Sequence, residues 1–240
     1  MSETVLSIGQ SLSDDVGLPR YSNLFGNLDQ NARRILNSIK DGLLLDVFSD
    51  ADWEMLKKSA TISVLGGGVT TYSLSSDFDR IINDTIWDST NSRSVRGPVD
   101  LREWQVYVSG SSQIAGLELV CRIQGDQDNN QKVLTFYPDT SASTVSFWYI
   151  SKKCVYSSGG EVKETITADD DLFIVPDKAV RAAAKWRLLR SMGMDFNDEQ
   201  MEYEALVEDL MANDTGGKKI HTNRMMKYDI ANVPQTGFGS

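Results

Sequence analysis

The spacing of apolar residues changes along the chain, and this order constrains the fold more than any other feature of the sequence. Residues 5–43 place apolar side chains at helical intervals, residues 59–156 form short runs rich in β-branched and aromatic residues, and residues 177–211 return to helical intervals. Elements of one kind pack in layers. The predicted fold class is therefore α+β: a helical layer built from N- and C-terminal helices, with an inserted antiparallel β domain and an extended C-terminal tail.

Four longer segments predict helices. In TVLSIGQSLSDDVGLP, Val5, Ile8 and Leu12 share one face, and DQNARRILNSIKDGLLLDVF repeats the pattern from Asp29. DKAVRAAAKWRLLRSMG ends at Gly193, a typical C-terminal cap, and NDEQMEYEALVEDLMAND has the most regular helical spacing in the chain. We expect these helices, although distant in sequence, to pack together.

The middle of the chain predicts strands. SATISVLGGGVTTYSLSSDF contains two β-prone runs around the glycines 66–68, which indicates a hairpin or a wide turn. The runs DRIINDTIW, LELVCRIQG, QKVLTFYP and TVSFWYISKKCVY continue the pattern. GPVDLREWQVYV interrupts it: Pro98 opens the segment, and Asp100 and Glu103 near its start predict a short helix.

The same patterns predict four parts of the chain. Residues 1–58 hold the N-terminal helices, residues 59–172 form the inserted β-rich module, residues 173–215 hold the C-terminal helices that pack on the N-terminal ones, and residues 216–240 form an extended basic tail.

Composition excludes several classes of protein. The 240 residues carry a formal net charge of -10, which argues against a surface that grips nucleic acid broadly through its phosphates. Cys121 and Cys154 are far apart, so we expect neither a disulfide framework nor a zinc site. The N-terminus does not resemble a secretory signal and no apolar run could span a membrane, so a soluble, uncleaved protein of a reducing cytosol is expected.

The residues offer little to a catalyst, and no catalytic, cofactor or metal site is predicted. His221 is the only histidine, which excludes Ser-His-Asp, Cys-His and two-histidine sites. The acids 169–171 could hold a hard cation or act as an acid-base pair, but their place before a short apolar run favours caps and turns. The carboxylates of EQMEYEALVED could serve a glycosidase, although a solvated helix face is the favoured interpretation.

Aromatic and basic residues indicate where partners could bind. Trp87, Trp104, Phe147, Trp148 and Tyr149 are expected to be core residues or protein-interface anchors, with core as the default. The tail after residue 216 alternates basic and apolar side chains, which favours a protein partner over nucleic acid or a membrane.

The chain also resembles the head-to-tail adaptor proteins of short-tailed bacteriophages, the tail accessory factor and tail tubular group. The resemblance covers roughly residues 29–213 and rests on an overall pattern of three motifs. These are the lead-in Leu74, Asp77, Phe78 and Arg80, then Ile86, Trp87 and Asp88 followed by Arg96, Gly97, Pro98 and Trp104, and an acid triplet before Lys185, Trp186 and Arg187.

The resemblance implies a virion structural protein without a cofactor, assembled in the host cytoplasm. Such proteins join the portal vertex as a ring, typically of about twelve copies, after DNA packaging, and give the tail nozzle its docking surface. Genomic DNA passes through the ring without tight binding, and no membrane is involved. The helical part would face the portal and the channel, the β module would lie outward, and a terminal extension would reach onto the portal.

Three sets of candidate residues follow from the pattern and the resemblance together. The portal-docking tail comprises Lys218, Lys219, Ile220, Arg224, Met225, Met226, Lys227 and Tyr228. The channel-facing acids are Asp198, Glu199, Glu202, Glu208 and Asp209. The residues expected at a subunit or tail interface are Trp87, Arg93, Arg96 and Trp104.

Other readings remain open at this point. A wall-degrading tail protein would have to use carboxylates, and a receptor-binding tail protein would be trimeric with a repetitive β-rich sequence. The β region and the tail are longer here than in the smallest members of the adaptor group, so the sequence leaves open which surface meets which partner. We also expect the tail to be disordered in the monomer and to become ordered on the portal.

Overall fold

The computed structural model describes residues 2–66, 71–109, 119–126, 131–138 and 142–214. Within these ranges the helices are α1 (Val5–Asp15), α2 (Gln30–Asp41), α3 (Phe48–Asp50), α4 (Leu101–Ser109), α5 (Asp177–Met192) and α6 (Asn197–Asp214). A π-helical stretch (Gly42–Val47) joins α2 to α3, and a 3₁₀ turn (Glu54–Leu56) follows α3.

The strands are short, and all strand pairs are antiparallel. They are β1 (Lys57–Val64), β2 (Thr71–Ser73), β3 (Phe78–Ile81), β4 (Trp87–Asp88), β5 (Arg93–Ser94), β6 (Val120–Asp126), β7 (Gln131–Tyr137), β8 (Ser143–Ser151), β9 (Val155–Tyr156), β10 (Val162–Lys163) and β11 (Leu172–Phe173). This mixture of helices and antiparallel sheets confirms the predicted α+β class.

The helices begin and end where capping residues allow it. Thr4 accepts a hydrogen bond from the Ser7 amide at the start of α1, and Asp29 accepts one from the Asn31 amide at the start of α2. Gly193 adopts φ 73°, the left-handed conformation that glycine tolerates best, and ends α5. The structure confirms the four longer helices predicted from the sequence, which are α1, α2, α5 and α6.

One apolar core unites the two ends of the chain, and the part of the molecule built around it is the helical unit. α2 and the π-helical stretch pack against α5, which also packs against α6. The approach is close at Gly42, where an added Cβ would lie 2.9 Å from the Ala184 amide nitrogen and 3.1 Å from the Ala183 Cβ. Glycine facing alanine therefore sets the distance between these two segments.

A small sheet, in the order β10-β9-β11, packs with the same helical core through Val155, Ile166 and Phe173. It also fixes the N-terminus, because the amide of Val5 donates to the carbonyl of Asp171 at 3.1 Å. Residues 59–172, taken as one module from the sequence, thus contribute to two cores.

The second core lies between two sheets that form the β module (residues 57–151). One sheet has the order β1-β8-β4-β5, with β3 also paired to β8, and the other has the order β2-β7-β6. Phe78, Val145 and Phe147 from the first sheet meet Leu134 and Phe136 from the second. α4 forms as predicted, with the Asp100 carboxylate accepting the Glu103 amide at 2.7 Å.

The hairpin predicted around glycines 66–68 is wrong. β1 pairs with β8 over its full length, whereas β2 pairs with β7 in the other sheet. The glycine run therefore lies between strands of different sheets. The run DRIINDTIW also divides into β3 and β4, because the chain turns at Asp84, whose φ is 60°.

β8 and Arg80 connect the two cores. Phe147 and Tyr149 point into the core of the β module, whereas Ile150 on the same strand belongs to the helical core. The Arg80 guanidinium donates to the carbonyl of Ala51 and forms an ion pair with Asp52, both in the helical unit. The β module is thus anchored to the helices at one end of its longest strand.

Candidate interaction surfaces

The first candidate surface is the exposed side of α6. Tyr203 and Val207 hold the helix against the rest of the helical unit, and the Tyr203 hydroxyl donates to Asp50 at 2.9 Å. Burial, reinforced by the nearby Asp50 carboxylate, raises the pKa of Tyr203 above its ordinary value, so this hydroxyl is a donor at every physiological pH.

All five of the predicted channel-facing acids lie on α6. Asp198, Glu202, Glu208 and Asp209 are exposed, and Glu199 is half-buried, 3.8 Å from the Lys185 ammonium group. The helix carries seven acids and no basic residue over 18 positions. The structure thus places the predicted acids together on one helix.

Helix stability explains only part of this charge. Asp198 and Glu199 lie in the first turn, where the helix dipole favours acids. Glu202, Glu208 and Asp209 lie outside the first and last turns of α6, where the dipole has little effect on them. The helix dipole therefore explains the acids of the first turn and not the others.

The second candidate surface is the outer side of the five-stranded sheet. Trp87 on β4 and Trp148 on β8 are 46% and 48% exposed. Trp87 on β4 pairs with Ser146 on β8. Trp148 lies two residues further along β8, so it is the diagonal neighbour of Trp87 on the same face, and such neighbours are about 7–8 Å apart. The default expectation of a core position is wrong for these two residues.

The residues paired with the two tryptophans on β1, β5 and β8 carry hydroxyl groups, and the cations Lys57 and Arg80, both paired with Ile150, flank Trp148 diagonally. Ser94 on β5 pairs with Trp87, and Thr61 and Ser59 on β1 pair with Ser146 and Trp148. We call this surface the tryptophan face; it comprises Ser59, Thr61, Trp87, Ser94, Ser146 and Trp148.

Trp148 was not among the interface residues predicted from the sequence. In the run Phe147-Trp148-Tyr149 the strand alternates, so Phe147 and Tyr149 are buried and Trp148 points outward. The period of two was the signal that could have distinguished the three aromatic residues.

Arg93 lies near Trp87 in sequence but serves the fold. Its Nε donates to the Asp88 carboxylate at 3.3 Å, and Asp88 is fully buried. Burial alone would raise the pKa of Asp88, but hydrogen bonds from Asn91 and Arg93 outweigh it and hold the pKa below the ordinary value. The contact of Arg93 with Asp88 therefore has a structural role.

Arg96 and Trp104 attach α4 to the module. The Arg96 guanidinium forms an ion pair with Glu103 at 2.7 Å and lies over the Tyr107 ring, and the Trp104 ring meets Tyr137 edge-on with centroids 6.3 Å apart. Gly97 has φ 131° and lies so near the Cys121 carbonyl that a Cβ there would clash with it. These contacts fix the base of α4.

The opposite side of α4 is a third candidate surface. None of its nine residues is buried, and Leu101, Val106 and Val108 are 57%, 63% and 48% exposed. We call this surface the outer side of α4; Arg102 and Gln105 lie on it as well.

The acid triplet has the structural role expected of it. Asp169 accepts hydrogen bonds from the amides of Leu24 and Phe25, and the buried Asp171 accepts them from Thr167, Ala168 and Lys163, the Lys163 ammonium lying 2.7 Å from it. In the ranges that the structure describes, no group of histidine, cysteine, aspartate or glutamate side chains could hold a metal ion.

A cleft of about 550 Å³ lies where the helical unit meets the β module. Its charged residues are engaged in contacts with their neighbours: Arg80 pairs with Asp52, Asp50 accepts from Tyr203, and Asp214 accepts from the Glu54 amide at 2.6 Å. Of these contacts, the ion pair of Arg80 with Asp52 joins the β module to the helical unit.

The predicted portal-docking residues, from Lys218 to Tyr228, lie outside the described residues. Among the helices that the structure does describe, none is both long enough and apolar enough to cross a membrane.

The chain is similar to a known protein family over most of its length. The family model described as SU10 adaptor protein matches residues 4–226, which include both cores and all three candidate surfaces. No curated protein matches the chain.

Proposed function

Because the chain belongs to the SU10 adaptor protein family, and is thus a phage structural adaptor, we propose that it forms a ring between the portal and the tail of the virion. The ring has about twelve copies, contacts the portal on one side and the tail nozzle or tail tube protein on the other, and assembles in the host cytoplasm. It conducts genomic DNA at ejection without binding it tightly.

The acidic side of α6 is the observation that carries this proposal. Seven acids without a basic residue on one helix create a negative field that repels DNA phosphates. A ring that lines its channel with α6 would let DNA slide through. The acids Asp198, Glu199, Glu202, Glu208 and Asp209 are therefore assigned to the channel.

The tail after α6 is assigned to the portal. Residues 215–240 carry four basic residues and one acid, whereas the whole chain has a net charge of -10. A basic segment with interleaved apolar residues suits an acidic protein surface, and its position directly after α6 lets it extend from the channel side of the ring. Trp87, Arg93, Arg96 and Trp104 belong to the region that meets neighbouring copies or the tail nozzle.

Mass photometry of the purified chain with the portal ring of its phage tests this assignment. We expect the portal complex to gain about a dozen copies, and we expect a chain that ends after Thr215 to lose this association. Absence of association at every salt concentration would refute the adaptor ring. If the shortened chain associates with the portal as tightly as the full chain, only the role assigned to the tail is refuted.

Charge reversal tests the channel. Rings with Glu202→Lys and Glu208→Lys should retain a double-stranded DNA fragment in a gel-shift assay at low salt, because the lumen would then attract phosphates. Glu161→Lys with Glu164→Lys is the matched control, since both residues are exposed and lie in the small β9–β11 region. Equal DNA retention by the two pairs would remove α6 from the channel.

A further inference from the structure

In the part of the β module that the structure describes, two largely apolar or hydroxyl-bearing surfaces are exposed, and strand alternation fixes their positions. On β8, Val145 and Phe147 point into the core, so Ser146 and Trp148 of the tryptophan face point away from it. The tryptophan face is therefore the outer side of the five-stranded sheet.

The outer side of α4 lies on the opposite side of the β module. On β7, Leu134 and Phe136 point into the same core, so Tyr137 points away from it. Trp104 of α4 contacts Tyr137 on that outer side of the three-stranded sheet. The two uncovered surfaces thus lie on opposite sides of the β module, with both sheets between them.

Resting on the proposed ring, we propose that the tryptophan face of one copy packs against the outer side of α4 of the next copy. A contact between two different surfaces on opposite sides of a subunit repeats from copy to copy, and it closes into a ring where the rotation between copies divides a full turn. A self-complementary contact would stop at a dimer. The positions of the two surfaces therefore suit the cyclic assembly.

Charge favours this pair of surfaces over others. Each copy carries a net charge of -10, so neighbouring copies repel unless their contact excludes acids. The six residues of the tryptophan face carry no charge, the charged residues that flank Trp148 diagonally are the cations Lys57 and Arg80, and on α4 the acid Glu103 is engaged by Arg96. Arg102, the exposed charge of α4, is a cation that can lie over a tryptophan ring, and tryptophan and arginine are the residues that most often anchor interfaces.

The helix itself favours a covering partner. A nine-residue helix is marginal by itself in water, and α4 is attached to the module at its base while none of its residues is buried. Leu101, Val106 and Val108 would be removed from water by the neighbour's sheet.

Crosslinking tests the pairing directly. Ser146→Cys places a thiol on the tryptophan face, and Gln105→Cys places one on the outer side of α4. The native Cys121 and Cys154 are fully buried, and burial raises the pKa of both thiols to about 12, so a short bismaleimide should not modify them in the folded protein.

The chain with both substitutions, assembled on the portal ring, should give a ladder of crosslinked products beyond the dimer. The variants that carry only one of the two added cysteines should give no crosslinked products. Dimers from Ser146→Cys alone would show that tryptophan faces meet each other and would overturn the proposal. Ser146→Cys with Leu28→Cys, whose 81% exposed leucine lies in the helical unit, is the control and should give no ladder.

Loss of the anchors is the second test. The double variant Trp87→Ser, Trp148→Ser should raise the protein concentration needed for ring assembly by about tenfold or more. The double variant Trp87→Phe, Trp148→Phe should assemble at nearly the same concentration as the unmodified chain. Unchanged assembly of the serine variant would overturn this interface and leave the adaptor function standing. If the unmodified chain does not assemble on the portal, the proposed function fails, and this inference fails with it.

Discussion

The helical unit and the β module bury their apolar residues in different ways. The helical unit joins residues from both ends of the chain, and the π-helical stretch and α5 cover each other around Gly42. The β module is built from one continuous stretch, residues 57–151, and leaves the tryptophan face and the outer side of α4 open. The helical unit buries its apolar face within one copy, whereas the β module leaves exposed the two surfaces that we propose to meet between copies.

Each region contains one natural reporter of its own stability. Cys154 lies in the helical core and Cys121 in the core of the β module, and both are free and fully buried. A thiol reagent reaches either residue only when its region opens. Labelling rates of the two thiols can therefore show whether a substitution weakens one region or both.

The largest expected effect is in the helical unit, where Arg187 binds both oxygens of Asp46 at 2.5 and 2.6 Å. Both side chains are mostly buried, at 19% and 12% exposure. Asp46→Ala leaves the guanidinium without its partner and should lower the free energy of unfolding by about 3 kcal/mol, measured by urea denaturation. Cys154 should then be labelled faster than Cys121.

The matched control is Asp14→Ala, which removes an exposed ion pair with Arg20 in the same unit. Exposed pairs contribute about 0–1 kcal/mol, so this variant should remain close to the unmodified chain. Equal acceleration of both thiols by Asp46→Ala would show that the two regions unfold together, and the distinction between them would not hold.

A smaller effect is expected at Gly42. Alanine there must displace the backbone of Ala184, and such overpacking should cost about 2 kcal/mol even though alanine favours helices more than glycine does. Gly125→Ala is the control on the β module, because an added Cβ at Gly125 meets nothing within 4 Å. A thermal melt that separates the two variants by less than the error would contradict the tight packing of the π-helical stretch on α5.

The helices were predictable because their signals are local. Asp29 and Gly193 mark ends that the structure confirms, and α6 has the regular spacing of a helix held on one side. The hairpin failed because strand pairing is not local: the partner of β1 is β8, far along the chain, and nothing in the runs around the glycines specifies it.

The candidate surfaces were predictable only in part. The acids of α6 were found from helical spacing, and Trp87, which was predicted at an interface, has an exposed side chain. Trp148 was not, because pairing Trp87 with Ser146 requires the register of β4 on β8. Arg93 was expected at an interface, yet its contact with the buried Asp88 depends on a turn that composition does not reveal.

The smallest expected effect is in the β module and is distinguished by its dependence on pH. Asp77 accepts hydrogen bonds from Lys58, Ser151 and Tyr149, at 2.6 to 3.0 Å. Burial alone would raise the pKa of Asp77, but these bonds outweigh it and hold the pKa well below the ordinary value. Asp77→Asn removes the charge and should cost about 1.5 kcal/mol at pH 7.

The sign of the pH dependence follows from the lowered pKa. In the unfolded chain the carboxyl of Asp77 titrates near its ordinary value of about 3.9, so its charge stabilises the fold above that pH and loses this effect as the pH falls further. The difference between the unmodified chain and Asp77→Asn, measured by urea denaturation at pH 7, 4 and 3, should therefore shrink with acid. Asp84→Asn, at an exposed turn where asparagine tolerates φ 60°, should show little difference at any of these pH values. A difference for Asp77 that stays constant would mean that its hydrogen bonds matter through shape and not through charge, and Cys121 labelling would then show whether the β module alone has loosened.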